Sequence, residues 1–209
     1  PFIYAPVLAL IDPRSGRYSA GAVEGGILGA ASVEMARFYG LPVEASGGGT
    51  DHHVPSIQAG YERALNVLPP ELSWPDILVG PGCLGGSTVF SPEQLLIDVE
   101  IFRMCRQAQR GIATKDGQWH EDLLDQIQPG EHFLDKIQTA KAVRSGEWYV
   151  GQLGVHDTYE GWEAAGQPTL LEEVREKVKE ILATHEPLPL DETAQRGLDA
   201  LEERARMED

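Results

Sequence analysis

The sequence predicts an α/β fold: a parallel sheet wound in about three strand-then-helix steps, followed by a mostly helical tail. Three observations predict it. Short apolar runs recur as continuous blocks, the pattern of strands covered on both faces. Each run ends in a turn rich in glycine, proline or aspartate, and each turn opens a stretch with apolar residues at helical spacing. A step takes about 30 to 45 residues, as a right-handed crossover requires, and the steps are too few to close an eight-stranded barrel.

The first run is "FIYAPVLALID" (2–12), and "DPRSG" (12–16) turns the chain at its carboxyl end. The helix of the first step lies in "AVEGGILGAASVEMARFYG" (22–40), with Gly40 as its C-cap before Leu41-Pro42. Its small residues Gly25, Gly26, Gly29, Ala30 and Ala31 predict very close packing against a sheet. "PVEAS" (42–46) is the second strand, and "PSIQAGYERALNVL" (55–68) is a helix opened by Pro55-Ser56. "LPPELSWP" (68–75) breaks the chain before a third buried strand, "DILVGPG" (76–82). The third helix, "SPEQLLIDVEIFRMCRQAQRG" (91–111), has Ser91 as N-cap, Pro92 in its first turn and Gly111 beyond its end.

After residue 112 the texture changes, which divides the chain into a βα region over 1–112 and a helical region over 113–209. "PTLLEEVREKVKEILATHEP" (168–187) is a charged helix with an apolar face of leucine, valine and isoleucine. A proline-marked linker and a final acidic helix follow, and none of this tail carries a catalytic constellation.

Composition bounds the function. The chain has 209 residues, 42% hydrophobic and 24% charged, and a formal charge of -16. That charge argues against a nucleic-acid partner, since phosphate backbones call for clustered Lys and Arg, and favours cationic small molecules. Cys83 and Cys105 are too few for a disulfide framework. No apolar run reaches the roughly 18 to 20 residues of a membrane helix, so a cytoplasmic protein is expected. The numbering opens on Pro1-Phe2-Ile3-Tyr4 inside an apolar segment, as expected of a processed product or part of a longer chain.

In parallel α/β folds, ligands collect at the carboxyl ends of the strands. Three loops fall there: Asp12–Gly16, Gly47–His53 and Gly80–Gly86, the last with Cys83. Glycines make tight βα turns, but two adjacent Gly-rich loops on that face also suit a ligand. Three chemistries are open. A phosphate cradle lacks both a matching glycine motif and a nearby Lys or Arg. A zinc site could use Asp51, His52, His53 and Cys83, although adjacent histidines rarely serve one ion and the spacing is not H-E-x-x-H. A cation site could set Asp51 beside Tyr4, Tyr18 or Trp74. Asp98 and Glu100 are two apart on the third helix, so they cannot share a face, and one can reach inward while the other is solvated.

The stretch "GAVEGGILGAASVEMARFYGLPVEASGGGTDHHVPSIQAGYERAL" resembles the trimethylamine:corrinoid methyltransferase family. So do "IDVEIFRMCRQAQRGI", "QPGEHFLDKIQTA" and "YEGWEAAGQPTLLEEVREKVKEILATHEPLPLD", and the likeness runs over nearly the whole chain. The resemblance implies a partial (β/α) TIM-type barrel, the carboxyl half of an enzyme that moves a methyl group from a methylated amine to a corrinoid (cobalamin) carried by a separate corrinoid protein. The family's substrates are tertiary or quaternary amines such as trimethylamine or glycine betaine; no pyrrolysine stands in the sequence, which resembles the pyrrolysine-free branch and points away from trimethylamine toward glycine betaine and related quaternary amines. On this reading Asp51, His52 and His53 are the catalytic group, with Asp51 holding a cation and the histidines walling its pocket. Asp12, Thr50, Cys83 and Glu100 contact substrate, and Gly47, Gly48 and Gly49 let the corrinoid approach, with no metal bound by the chain itself. The chain is expected to form a homo-oligomer or to pair with an amino-terminal half. The alternatives are a non-catalytic half-barrel that dimerises and binds a small cation or a protein, and a zinc-dependent enzyme.

Overall fold

A computed structural model describes residues 2–8, 10–115 and 118–208 of the chain. It is mixed α/β, rich in helix and short in strand, with no closed barrel among the described residues. Three helices carry the first half: α1 (Val23–Tyr39), α2 (Ile57–Leu72) and α3 (Pro92–Arg110). Strand β1 (Glu44–Ser46) pairs in parallel with β2 (Ile77–Val79), in the register Glu44 to Ile77, Ala45 to Leu78 and Ser46 to Val79. A short antiparallel hairpin, β3 (Cys83–Leu84) with β4 (Val89–Phe90), lies between β2 and α3.

The helix ends obey their local chemistry. Gly40 closes α1 in the left-handed region at φ 65°. Ser56 and Ser91 cap α2 and α3, accepting from the Ala59 and Gln94 amides. The small face of α1 packs as its glycines predict. A Cβ on Gly26 would stand 2.7 Å from the Leu65 carbonyl of α2, and one on Gly29 would stand 2.9 Å from the Ser46 carbonyl of β1. Val33, Ala36, Val43 and Ala45 form the buried core there, with Tyr4 and Leu78 against it.

Two expectations are corrected. The segment 2–12 is not a continuous strand: it makes one parallel bridge from Tyr4 to Val43 and one antiparallel bridge from Ile11 to Tyr18. Its apolar residues are not covered on both faces, since Phe2 is 70% and Val7 75% exposed. Nor does Pro69-Pro70 break α2, which runs on to Leu72. Each proline lacks the amide for a bond to the carbonyl four residues back and crowds that carbonyl with its ring, a cost that packing of the final turn offsets. The buried Glu71 holds the final turn against α3, where Arg106 Nε donates to its carboxylate at 3.0 Å. Trp74, at φ 63°, ends the segment.

The chain divides into two compact units, Pro1–Val178 and Lys179–Asp209. In the first, short helices α4 (Glu121–Leu124), α5 (Ile137–Ser145) and α6 (Tyr159–Ala164) follow α3, and α7 (Leu170–Thr184) begins. The second ends in α8 (Glu192–Glu208). Among the described residues no helix is long and apolar enough to cross a membrane.

Candidate functional site

Strands β1 and β2 run parallel, so their carboxyl ends deliver two glycine loops to the same edge. Gly47 N–H donates back to Val79 O at 3.2 Å, and a Cβ on Gly80, at φ 113°, would collide with Gly47 O. The loops therefore touch backbone to backbone, which only glycine permits there. Over them lies a cavity of about 170 Å³. Its floor is Ser46, Gly47, Gly49, Val79 and Gly80, with Cys83 beside them. Its outer wall is the strap that follows the Tyr4 bridge: Pro6, Leu10, Tyr18, Ser19 and Ala20. Among the described residues no Lys, Arg or carboxylate lines it.

Beneath the floor sits a charged pair. Arg63 of α2 and Asp98 of α3 are wholly buried, with Nη1 to Oδ2 at 2.7 Å. The same Nη1 donates to Gly48 O and, at 3.4 Å, to Gly80 O. Asp98 Oδ2 accepts from Gly82 N–H at 2.6 Å, and Oδ1 from Gln94 Nε2 at 2.8 Å. Burial pushes the Asp98 carboxyl up to about 6, with Arg63, Gly82 N–H and Gln94 pulling back. Burial also lowers Arg63, against Asp98, Cys83 and Glu62. Desolvation dominates at both partners, while the hydrogen bonds favour the charged forms. Among the described residues Arg63 Nε and Nη2 and Gln94 Oε1 find no hydrogen-bond partner.

A second network holds the rim. Asp51 Oδ2 accepts from Ser19 Oγ at 2.6 Å, and its Oδ1 accepts from the Ala20 and Gly21 amides at 2.6 and 3.2 Å. Thr50, buried, donates its hydroxyl to Glu62 Oε2 at 2.5 Å, and Asp51 N–H donates to the same oxygen at 3.0 Å. Together these bonds pin the strap at 19–21 to the glycine loop. A Cβ on Gly49 would strike Ala20 O, so strap and loop also meet by backbone. Asn66 completes the join through Ala20 O at 3.4 Å.

The predicted site residues are thus only partly brought together. Gly47, Gly49 and Cys83 line the cavity, and Gly48 is buried against Arg63 and Phe102. Asp51 faces an open basin of about 450 Å³ next door, together with Asp12 and Glu62. Asp12 is engaged by Arg14, whose hydrogen bonds hold its carboxyl down at about 2. His52 Nδ1 lies 3.0 Å from Ser56 Oγ and 2.9 Å from Val54 O, at the start of α2. His53 is exposed and packs on Gly85. Glu100 stands apart: its Oε1 accepts from Tyr149 OH at 2.8 Å and Gln152 N–H at 3.0 Å, tying that later segment to α3. Of the three aromatics, Tyr18 lines the cavity, Tyr4 packs on Tyr39 at 6.3 Å and Trp74 is exposed before β2. Among the described residues no three His, Cys, Asp or Glu side chains gather as metal ligands, so the zinc set is not assembled.

Sequence reasoning missed Arg63, Glu62 and Ser19. A signal for Arg63 existed. It falls on the buried stripe Ala59, Arg63, Asn66, Val67 and Pro70 of α2, where a charge needs a partner.

The whole sequence is similar to one known group. A family model described as "Trimethylamine methyltransferase (MTTB)" matches residues 1–208. Trimethylamine methyltransferase MttB of Methanosarcina barkeri (strain Fusaro) is 31% identical over 204 residues, 97% of this chain and 40% of that protein. Glycine betaine methyltransferase of Desulfitobacterium hafniense (strain Y51) is 31% identical over 192 residues, 91% of this chain and 40% of that protein. An MttB protein of Desulfitobacterium hafniense is 27% identical over 92% of the chain. The chain spans about two fifths of the length of these curated relatives.

Proposed function

This chain belongs to the trimethylamine methyltransferase family, and from that premise we propose that the cavity over β1 and β2 holds a methylated amine whose methyl group passes to a corrinoid on a separate protein. The observation that carries the proposal is the cavity itself, small, cation-tolerant and built at the carboxyl ends of two parallel strands. At about 170 Å³ it suits a small amine and is far too small for a corrin macrocycle. The corrinoid is therefore read as the acceptor substrate, meeting the cavity mouth from a partner protein and not resident in this chain. A (β/α)8 barrel, of which this chain supplies part, is the architecture proposed for the whole enzyme, and the cytoplasm its location.

A methyl group on a quaternary nitrogen needs little chemical help. When a nucleophile takes the methyl carbon, the C–N bond breaks with its electron pair on nitrogen, and a neutral tertiary amine leaves without a proton. A tertiary amine leaves in the same way when it carries a proton, as such amines do at neutral pH, but among the described residues no carboxylate lines the cavity to hold that proton in place. Quaternary substrates, whose charge no proton loss can remove, are the better fit. The protein's task is positioning. Tyr18 offers an aromatic wall, and Asp51 acts at one hydroxyl's remove, through Ser19. The Asp51 and Glu62 carboxylates in the neighbouring basin attract cations toward the strap. His52 and His53 shape the loop, and Cys83 contacts the guest.

The test follows the corrinoid spectrum for methyl-cobalt formation with a panel that includes trimethylamine and glycine betaine, using the full-length enzyme and its corrinoid partner. Quaternary amines should react fastest. No signal with any amine would sink the reading. It would favour the second one, a non-catalytic pairing module, for which the exposure of Ile57 (90%) and Phe38 (79%) is the supporting observation.

A further inference from the structure

We propose that Arg63 and Asp98 are positioning residues: one buried ion pair sets the spacing of the two glycine loops, and so the width of the cavity, through backbone atoms alone. The inference rests on the amine reading only for the identity of the guest. Glycine is the residue with the greatest backbone freedom, so loops built of Gly47, Gly48, Gly49, Gly80 and Gly82 do not fix their own shape. Something must hold them. Arg63 Nη1 reaches the carbonyls of Gly48 and Gly80, one from each loop, and Asp98 Oδ2 reaches the amide of Gly82. These groups come from α2, α3 and both strand ends, and they converge on a single contact of 2.7 Å.

The choice of residues argues the same way. A buried pair is an expensive way to fill space, and well-packed apolar residues of equal volume often do as well or better for stability. Apolar residues could not donate to Gly48 O and Gly80 O or accept from Gly82 N–H. A planar guanidinium and a carboxylate do both at once. The neighbours support that geometry: Gln94 steadies the second carboxylate oxygen, and Glu62 and Cys83 are the other ionisable groups near Arg63. Neither Arg63 nor Asp98 lines the cavity, so each acts on a guest only through the loops.

Cys83 gives a direct readout, because it lines the cavity while Cys105 is buried. The rate at which iodoacetamide alkylates the Cys83 thiolate, followed by mass spectrometry on the full chain as a function of pH and compared at full ionisation so that the nearby Arg63 charge does not enter through the thiolate fraction, reports the loop geometry. Arg63→Lys keeps a charge on a shorter stem that holds its nitrogen back from the place of Nη1, and Asp98→Asn keeps the shape but loses the charge. Each should shift the rate by about tenfold or more while retaining a cooperative thermal transition. A merely structural pair would lower the melting temperature and leave the rate of the folded protein alone. A folded variant alkylated at the unsubstituted rate therefore overturns the proposal. A further measurement needs no variant. The Gly82 amide should exchange its hydrogen about a hundredfold more slowly than exposed loop amides, and exchange at their rate overturns the proposal too. Should no amine transfer a methyl group while Cys83 responds as expected, the guest's identity falls and the positioning pair stands.

Discussion

The rim and the floor of the cavity both rest on carboxylates, and they use them differently. At the rim Asp51 and Glu62 are half-buried and accept from hydroxyls and amides of the strap and the glycine loop. In the floor Asp98 has no exposure and faces a guanidinium equally buried. The rim bonds each join two segments and can be exchanged with water one at a time. The floor joins four, and no water replaces a lost partner there. A carboxylate at the rim adjusts a surface, whereas one in the floor decides whether the loops have a shape.

The largest break in this comparison should come from removing half of the floor pair. Arg63→Ala leaves Asp98 buried without its partner, forced to take up a proton or stand as a lone charge, and should cost about 3–5 kcal/mol in denaturant unfolding. The double change Arg63→Met with Asp98→Leu should recover much of that loss, since no charge is then stranded. Equal loss in single and double variants would remove the distinction between floor and rim. Next comes Gly49→Ala, which drives a methyl group into the Ala20 carbonyl and should cost about 1–3 kcal/mol by overpacking. At the rim itself, Asp51→Asn should lose only about 1 kcal/mol, because two of its three donors are still served by the amide oxygen. A loss as large as that of Arg63→Ala would invert the comparison.

The last test is the pH dependence, which spreads its effect over a window of pH. Asp98 titrates at about 6 in the fold against 3.8 as its ordinary value. The folded state therefore takes up the proton first, and this group's contribution to stability grows as pH falls from about 6 toward 3.8. The unsubstituted chain should gain melting temperature relative to Asp98→Asn over that window. Asp12 works in reverse, with its carboxyl held at about 2, so its contribution is present above 3.8 and lost as pH falls through 2. Being exposed and paired with Arg14, it should shift the melting curve far less than Asp98, as Asp12→Asn would test.

The difference between floor and rim also explains what the sequence could tell. The helices α1, α2 and α3 were legible with their caps, because Gly40, Ser56 and Ser91 act on bonds within a few residues of themselves. The glycine loops were legible as neighbours at one sheet edge, because strand direction alone puts Gly47 and Gly80 there. The strand over 2–12 was misread, since a run of apolar residues records hydrophobicity and not its coverage; Phe2 and Val7 stand exposed. Partnerships across 30 residues left the faintest trace. Ser19 reaches Asp51 from another step of the fold, and nothing near either residue announces it. Glu100 is expected to contact substrate, yet its partners, Tyr149 and Gln152, lie about fifty positions away, beyond the reach of local pattern. Asp98, the acid that does turn inward, is recognisable beside Gln94 and Cys105 on the buried stripe of α3.

The backbone contact between Gly80 and Gly47 carries a consequence for how such a protein can diversify. A surface made of main chain offers mutation nothing to enlarge or trim, and a methyl group added there collides. Any retuning of the cavity must then be written on the opposite wall, in Leu10 and Tyr18, where side chains can be exchanged singly without disturbing the ground beneath them.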